Sequence, residues 1–588
     1  MTDFMAYHGP DAQKIWLNGP VGFGHAMLRT TPESEREIQP QSLDNQVWIT
    51  ADARVDGRVD LVSKLLPRGC RVTNKTPDVE LILNAYQVWG KSCLDHLIGD
   101  FSFAIWDELK KQLICARDHF GIKPFYYAVK EDLLVFSNNL ACLLLHPDVS
   151  HSLDERSLGD LFLFGGNQDL TTTYFTDVKC LHPGNCLIWS QGTLFLERYW
   201  HIQEDQIRYK QKREYVEHFK ELLRLAVGDR LRTQKVGVLM SGGIDSTSVT
   251  ATARDLLLES SKPFDLRAFT VVLDRMVPGD EGHYSGLAAE FLGIPIHYLS
   301  EDEDPLYKNY QLDLRAPGEV YGPFGGIFVY LLKQIAASCR VCLMGLNGGP
   351  LLVPEKSTAK NMLAGLHIWQ FSQFVWQYHQ MHKRRPPLLL RSTLRRWLGW
   401  NSEQPPYPTW LTADFEARNK LRDRWEQLHF EVEEKGLSRY ERFVQSPSTY
   451  RPHVFEKDDP GMTGIPVEVR HPFYDVRIIE FVMAIPLTPW SINKHLLRES
   501  MFGLLPEPVR IRPKTNLPSG KIVQTSLHQD IEKWVNIVET APGLSDYVYI
   551  PEVVQAIQTF EDLSHLQVYI KIAPLSLAMW LHRRAEAG

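Results

Sequence analysis

Up to about residue 200, apolar residues come in short bursts broken by Gly, Asn, Asp and Pro, the texture of strands joined by tight turns. Val47-Trp48-Ile49-Thr50, Phe101-Ser102-Phe103-Ala104-Ile105-Trp106 and Cys186-Leu187-Ile188-Trp189 are three such bursts. In the second, Phe101, Phe103 and Ile105 alternate with Ser102 and Ala104, a period of two that turns one face toward a core. The pattern predicts a sheet with helices packed on it, Leu81-Ile82-Leu83-Asn84-Ala85-Tyr86 being one helix with Glu80 near its start. A first domain over 1–202 follows, with the polar stretch 203–213 as a linker.

From Glu214 the texture changes. A helical segment leads into the strand Val236-Gly237-Val238-Leu239-Met240, then a glycine loop and a helix from about Ser246 to Leu258. Further strands are predicted at Ala268-Phe269-Thr270-Val271-Val272, Ile294-Pro295-Ile296-His297-Tyr298 and Val341-Cys342-Leu343-Met344. Strands alternating with helices imply a doubly wound parallel sheet, here in a second domain over 214–588. Residues 355–450 differ: they are tryptophan-rich and carry His382-Lys383-Arg384-Arg385, then Arg391, Arg395 and Arg396. A solvated amphipathic insertion and a platform for a peptide or another macromolecule both fit that run.

Composition narrows the class. A chain of 588 residues is too long for one core. Its 44% hydrophobic and 23% charged content is ordinary for a globular protein, and a net charge of -7 argues against a general nucleic-acid binder. The start lacks the basic-then-apolar layout of a signal peptide, and no apolar run is long enough to span a bilayer. The eight cysteines are scattered: Cys180/Cys186 and Cys339/Cys342 lack zinc-finger context, and the latter pair reads as core. Reduced thiols and a cytoplasmic location are the expectation.

The chemistry concentrates in Ser241-Gly242-Gly243-Ile244-Asp245-Ser246, which leaves a buried strand and opens a helix. That geometry aims backbone amides and the helix dipole at one spot, which favours a phosphate. The glycines let the backbone come close, Ser241 and Ser246 add hydroxyls, and Asp245 becomes intelligible as a magnesium ligand beside phosphate. The loop lacks the Gly-Lys-Ser/Thr ending that serves transfer of a γ-phosphoryl group.

The hexapeptide resembles the pyrophosphate loop of the asparagine synthetase B family, and the likeness covers most of the chain. Asp280-Glu281 ahead of Leu292-Gly293-Ile294 is similar to the family's acidic pair before its LGI strand. Val467-Glu468-Val469-Arg470-His471-Pro472-Phe473-Tyr474-Asp475 resembles its E-x-R-x-PF-x-D segment. Leu497-Arg498, Leu505-Pro506 and Arg512-Pro513-Lys514-Thr515 resemble its closing stretch. The resemblance implies cleavage of ATP to AMP and pyrophosphate in an ATP-pyrophosphatase (PP-loop) domain, with ATP and Mg2+ as cofactors. It also implies that Lys514 stabilises negative charge at the reacting carbonyl, and that backbone at Met240, Val271 and Gly345 lines the adenine pocket.

The first domain resembles the family's glutamine amidotransferase half, an Ntn-hydrolase-like αββα sandwich. His8-Gly9-Pro10-Asp11, Asp78 with Glu80, Gly99-Asp100-Phe101, Ala116-Arg117-Asp118, Gly121 to Tyr127 and Leu181-His182-Pro183-Gly184 follow its pattern. Working members carry a cysteine after the initiator methionine, where this chain has Thr2. The family's RGPD falls well downstream of that nucleophile, whereas its counterpart here begins at His8. The nucleophile-bearing strand is therefore expected to be missing and glutamine hydrolysis with it; a misassigned start codon gives the same picture. A second departure lies in Gly345-Leu346-Asn347-Gly348-Gly349-Pro350-Leu351, with Pro350 and Leu351 where the family carries an acidic pair. Asp245 then lacks its usual magnesium partner, unless Glu355 substitutes.

Three functions remain open. The first is an isopeptide cyclase of the lasso-peptide kind, joining a precursor's N-terminal amine to an Asp or Glu side chain, with a leader peptidase or leader-binding protein as partner. Pro408-Thr409-Trp410-Leu411 through Phe415, Arg418 and Arg422 resembles those cyclases. The second is an asparagine synthetase using aspartate and free ammonia. The third is a catalytically silent scaffold that binds a peptide or a peptidase.

Overall fold

The computed structural model describes residues 1–202, 206–272, 280–300, 320, 326–353, 362, 368–382, 407–434, 453–514, 519–560 and 565–587. The centre of the first domain is a six-stranded sheet with the order β11-β10-β6-β5-β4-β3. Its strands are β3 (Gln41–Ser42), β4 (Val47–Asp56), β5 (Ile98–Asp107), β6 (Gln112–Arg117), β10 (Asn185–Ser190) and β11 (Thr193–Arg198). Phe101, Phe103 and Ile105 of β5 face the helices Arg58–Leu65 and Asp78–Trp89, as their alternation predicts. The opposite face is not solvated. Ala104 and Trp106 pack against a second layer, made of the hairpin β1 (Ala12–Asn18) and β2 (Val21–Met27) and of the sheet β8-β7-β9. These last strands span Leu133–Ser137, Tyr126–Lys130 and Lys179–Cys180. Ser102 and Ala104 are small because a sheet, not water, lies over them; period alone could not separate the two cases.

The second domain holds a five-stranded parallel sheet in the order β14-β13-β12-β15-β16. Its strands are β12 (Lys235–Leu239), β13 (Asp265–Val272), β14 (Ile296–Ser300), β15 (Val341–Met344) and β16 (Glu468–Arg470). Val236, Val238, Ala268, Leu343 and the helix Ile244–Glu259 build its core. The helix Lys212–Leu231 opens with a reciprocal capping box between Gln211 and Glu214, so regular structure starts at Lys212.

The two domains share one buried ionic spine. Arg54 pairs with Asp56 (2.9 Å) and Asp100 (2.7 Å), while Arg230 reaches Asp56 (3.1 Å) and Asp475 (2.8 Å). Glu468 pairs with Arg470 at 2.7 Å, and the Arg470 guanidinium donates to the Arg230 carbonyl at 2.6 Å. The segment from Glu468 to Asp475 therefore joins domains. The aromatic stretch does similar work: Trp410, Leu411 and Phe415 are buried against the helices Glu155–Phe164 and His565–Ala587. Arg418 pairs with Glu155 at 2.8 Å, and Arg422 stacks 4.2 Å from the ring centre of Tyr407. The basic positions 383–385, 391, 395 and 396 lie outside the described residues.

Candidate active site

The strand order reverses direction between β12 and β15, so a crevice opens beyond their carboxyl ends. Met240 to Ser246 leave β12 into it, and Gly345 to Gly349 leave β15 beside them. Gly242 has φ +67°, and a Cβ there would sit 2.6 Å from the Ser285 amide nitrogen, so no other residue fits. The Ser241 amide donates to the Ser246 hydroxyl at 3.1 Å, and that hydroxyl donates to the Gly243 carbonyl at 3.2 Å. Ser246 thus shapes the loop, whereas Ser241 is exposed at its mouth. A Cβ on Gly345 would lie 2.6 Å from the Ser246 nitrogen, which shows how tightly the second loop backs the first. Met240 and Val271 stand at the ends of neighbouring strands; the Met240 side chain is core, leaving only its backbone for a ligand.

Asp245 lies in the first turn of Ile244–Glu259. Its Oδ2 receives the Lys494 ammonium at 2.5 Å, while its Oδ1 is buried without a hydrogen-bond partner. Burial pushes the Lys494 ammonium down and the Asp245 carboxylate opposes that shift. A Cβ on Gly349 would be 3.8 Å from Lys514 Nζ and 3.9 Å from Lys494 Nζ, so both ammonium groups converge on one glycine. A Cβ on Gly348 would be 2.7 Å from Asp245 Oδ1. Bare backbone at 348 and 349 therefore lets three charged groups meet.

Arg498 and Arg512 set up that meeting. Arg498 donates to the Asn493 carbonyl at 2.7 Å and the Arg512 carbonyl at 2.8 Å, tying the Lys494 turn to the segment that delivers Lys514. Arg512 stacks 4.3 Å from the ring centre of Tyr284 and reaches the Ser241 carbonyl at 3.4 Å. Burial raises the Glu281 carboxyl, and Arg512 opposes it. Lys494 was missed from sequence; its one signal was its place three residues before Leu497-Arg498.

Pro350 and Leu351 fall in the short helix Gly348–Leu351, with the Leu351 side chain buried in the core. Glu355 lies outside the described residues. Among the described residues of these two loops, magnesium, which the fold implies, finds one carboxylate, and the orphaned Oδ1 of Asp245 is the atom that suits it. Magnesium commonly takes one or two carboxylates and completes its shell with phosphate and water, so the residues fit a one-carboxylate site.

The first domain contains a cavity of about 460 Å³, lined by Thr2, His8, His25, Asp52, Lys123 and Cys142 among others. Thr2 rests on Gly24, where a Cβ would meet its hydroxyl at 2.0 Å. Cys142 is buried, and burial pushes its thiol up. The motif residues nearby hold loops: Asp118 accepts from the amides of Phe120, Ile122 and Lys123 at 2.9–3.1 Å. Arg117 donates to the carbonyls of Lys123, Gly121 and Leu181.

A parallel sheet with this glycine loop at its switch point, behind an αββα sandwich, defines an ATP-dependent carbon–nitrogen ligase with an amidotransferase-like domain. The chain belongs to the asparagine synthase family: the asparagine synthase model matches residues 218–582, and the glutamine amidotransferase domain model matches 1–200. It is 24% identical over 569 residues to asparagine synthetase [glutamine-hydrolyzing] 3 of Bacillus subtilis, covering 92% of this chain and 86% of that protein. It is 25% identical to asparagine synthetase [glutamine-hydrolyzing] 2 of the same organism, covering 89% of this chain and 69% of that one. It is also 32% identical over 331 residues to the amidase chry2 of Gibberella zeae, covering 53% of this chain and about half, 47%, of the relative. No described helix is long and apolar enough to cross a membrane.

Proposed function

We propose that the chain closes an isopeptide bond, loading a side-chain carboxylate of a peptide with AMP and passing the acyl group to the same peptide's N-terminal amine. The observation that carries this reading is the convergence of Lys494 and Lys514 on Gly349 beside the phosphate loop. In the first step a carboxylate oxygen attacks the α-phosphorus of ATP and the bond to the bridging oxygen breaks, releasing pyrophosphate. The departing charge is met by the amides at the start of Ile244–Glu259 and by Lys494. In the second step the amine nitrogen attacks the acyl carbon and loses a proton, and AMP leaves with the electrons of the C–O bond. Lys514 stands over the crevice as the donor for the carbonyl oxygen, worth most where water is excluded. A magnesium ion, when bound at Asp245 Oδ1, supplies further charge neutralisation on the phosphates.

The amine is assigned to the peptide because the cavity of the first domain offers a thiol, Cys142, that is buried and pushed up, poor properties for attack on glutamine. A second reading, asparagine synthesis from aspartate with free ammonia as the amine, is favoured in its product by glutamine-hydrolysing asparagine synthetases that match most of the chain. ATP–pyrophosphate exchange separates them. The assay is run with aspartate, and with a synthetic peptide matching any short precursor encoded beside the gene. Exchange that needs the peptide supports cyclisation; exchange with aspartate alone replaces it with the second reading. Exchange with neither leaves a scaffold that binds without reacting.

A further inference from the structure

We propose that a single monovalent metal cation sits in the small cavity between the two domains, held by Asp458. The cavity measures about 20 Å³ and is lined by Asp100 and Lys123 of the first domain and Asp458, Asp459, Glu468 and His471 of the second. That is room for one water-sized particle. Every other acid on its wall has a hydrogen-bond or ion-pair partner. Asp100 pairs with Arg54 at 2.7 Å, and Glu468 with Arg470 at 2.7 Å. Asp459 accepts from the Gly461 amide at 2.7 Å and faces His8 at 3.8 Å.

Asp458 stands apart. It is 2% exposed, and neither carboxylate oxygen finds a hydrogen-bond partner. The charge of the adjacent Lys457 favours the ionised carboxylate, but its ammonium is exposed and lies 6.0 Å from the ring centre of Phe328. His471 Nε2 lies 3.9 Å from Oδ2, but burial pushes that imidazole down to about 3, so it brings no charge near neutrality. A water would answer the oxygens and leave the charge, and an unanswered buried charge is among the costliest features a fold can carry. A proton answers it only on the acid side, burial having pushed the carboxyl up to about 7. Once ionised, Asp458 has no hydrogen-bonded counter-charge, and the Lys123 ammonium on the wall repels a divalent ion more strongly than a monovalent one, so a monovalent cation is the counter-charge that fits. Contacts from both domains make it a clamp on their interface.

The test uses the full-length protein at pH 8. Thermal midpoints are compared in sodium, potassium and choline chloride at equal ionic strength. The expected result is a higher midpoint in sodium or potassium that climbs with ion concentration, and loss of that difference in Asp458→Asn. Equal midpoints in all three salts overturn the proposal, as does an Asp458→Asn variant that keeps the difference. Should that variant fail to fold, crystals of the unaltered protein soaked in thallium(I) decide: anomalous density against the Asp458 carboxylate is expected, and its absence overturns the site.

Discussion

Lys494 Nζ lies 2.5 Å from Asp245 Oδ2, joining the first turn of the phosphate-loop helix to a segment 249 residues further along the chain. With Lys514 beside it, two ammonium groups meet the one carboxylate of Asp245 at Gly348 and Gly349 among the described residues. A surplus of positive charge between glycine loops is what a polyphosphate needs.

Replacing Lys494 by Met removes that surplus while keeping the length of the side chain. ATP–pyrophosphate exchange is expected to fall by about 10²-fold, the scale of losing one fixed donor. Freed of its ammonium, Asp245 would be left repelling the phosphates, so nucleotide binding weakens as well. A variant with near-normal exchange removes Lys494 from the phosphate site.

Lys514→Ala is the companion variant, expected to lower turnover by about 10²–10³-fold. Lys514 is exposed in a short stretch that Arg498 braces, so the folded state should be indifferent to its loss. Unchanged turnover would take Lys514 out of the reaction.

Much of this site was legible because its constraints are local. A strand, two glycines and a helix start in sequence order, and Gly242 shows why: φ +67° and the nearby Ser285 amide exclude a side chain. Lys494 was not legible, since its role comes from a contact made across the crevice. Nor was the ionic spine: the segment from Glu468 to Asp475 read as a family motif without an assigned role, and its Glu468 pairs with Arg470 and Arg54 while Asp475 pairs with Arg230 and Arg477. For the stretch that holds Trp410 and Phe415, a solvated insertion and a platform for a macromolecule both fitted the sequence, yet these two side chains are buried in the core with the helix Glu155–Phe164. Sequence marks a residue as constrained; only the fold says whether a ligand or a neighbouring domain constrains it.

Gly242→Ala tests the loop. Its Cβ would meet the Ser285 nitrogen at 2.6 Å and the Tyr284 Cβ at 2.8 Å in a left-handed backbone that alanine resists. Nucleotide binding measured by calorimetry is expected to be lost, with circular dichroism of the rest unchanged. Normal ATP affinity would show that the loop does not need its close approach to the helix Glu281–Leu292.

Arg230→Met tests the spine. The guanidinium is 1% exposed and serves Asp56, Asp100 and Asp475 together. Removing one partner strands buried carboxylates, so a loss of about 3–5 kcal/mol in urea unfolding is expected. A loss under about 1 kcal/mol would mean that water reaches the spine and screens it.

Glu37 carries a pH dependence whose sign is fixed. It is buried on the wall of the first-domain cavity, and its carboxyl is pushed up to about 7 from an ordinary value of 4.5. Burial is the main cause, with repulsion from Asp78 behind it; the Gln39 amide, donating at 2.7 Å, works the other way. Between pH 4.5 and about 7 the folded protein keeps a proton here that the unfolded chain has given up. Stability from this group is therefore full below 4.5, falls as pH rises, and levels off beyond about 7. The whole effect is bounded by ~3 kcal/mol. Glu37→Gln keeps the shape without the titration, so its urea midpoint should change less than the native one between pH 5 and pH 8, and exceed it at pH 8. Parallel pH profiles for the two proteins would show that Glu37 is ionised and solvated at neutral pH, and that the cavity wall around it is open to water.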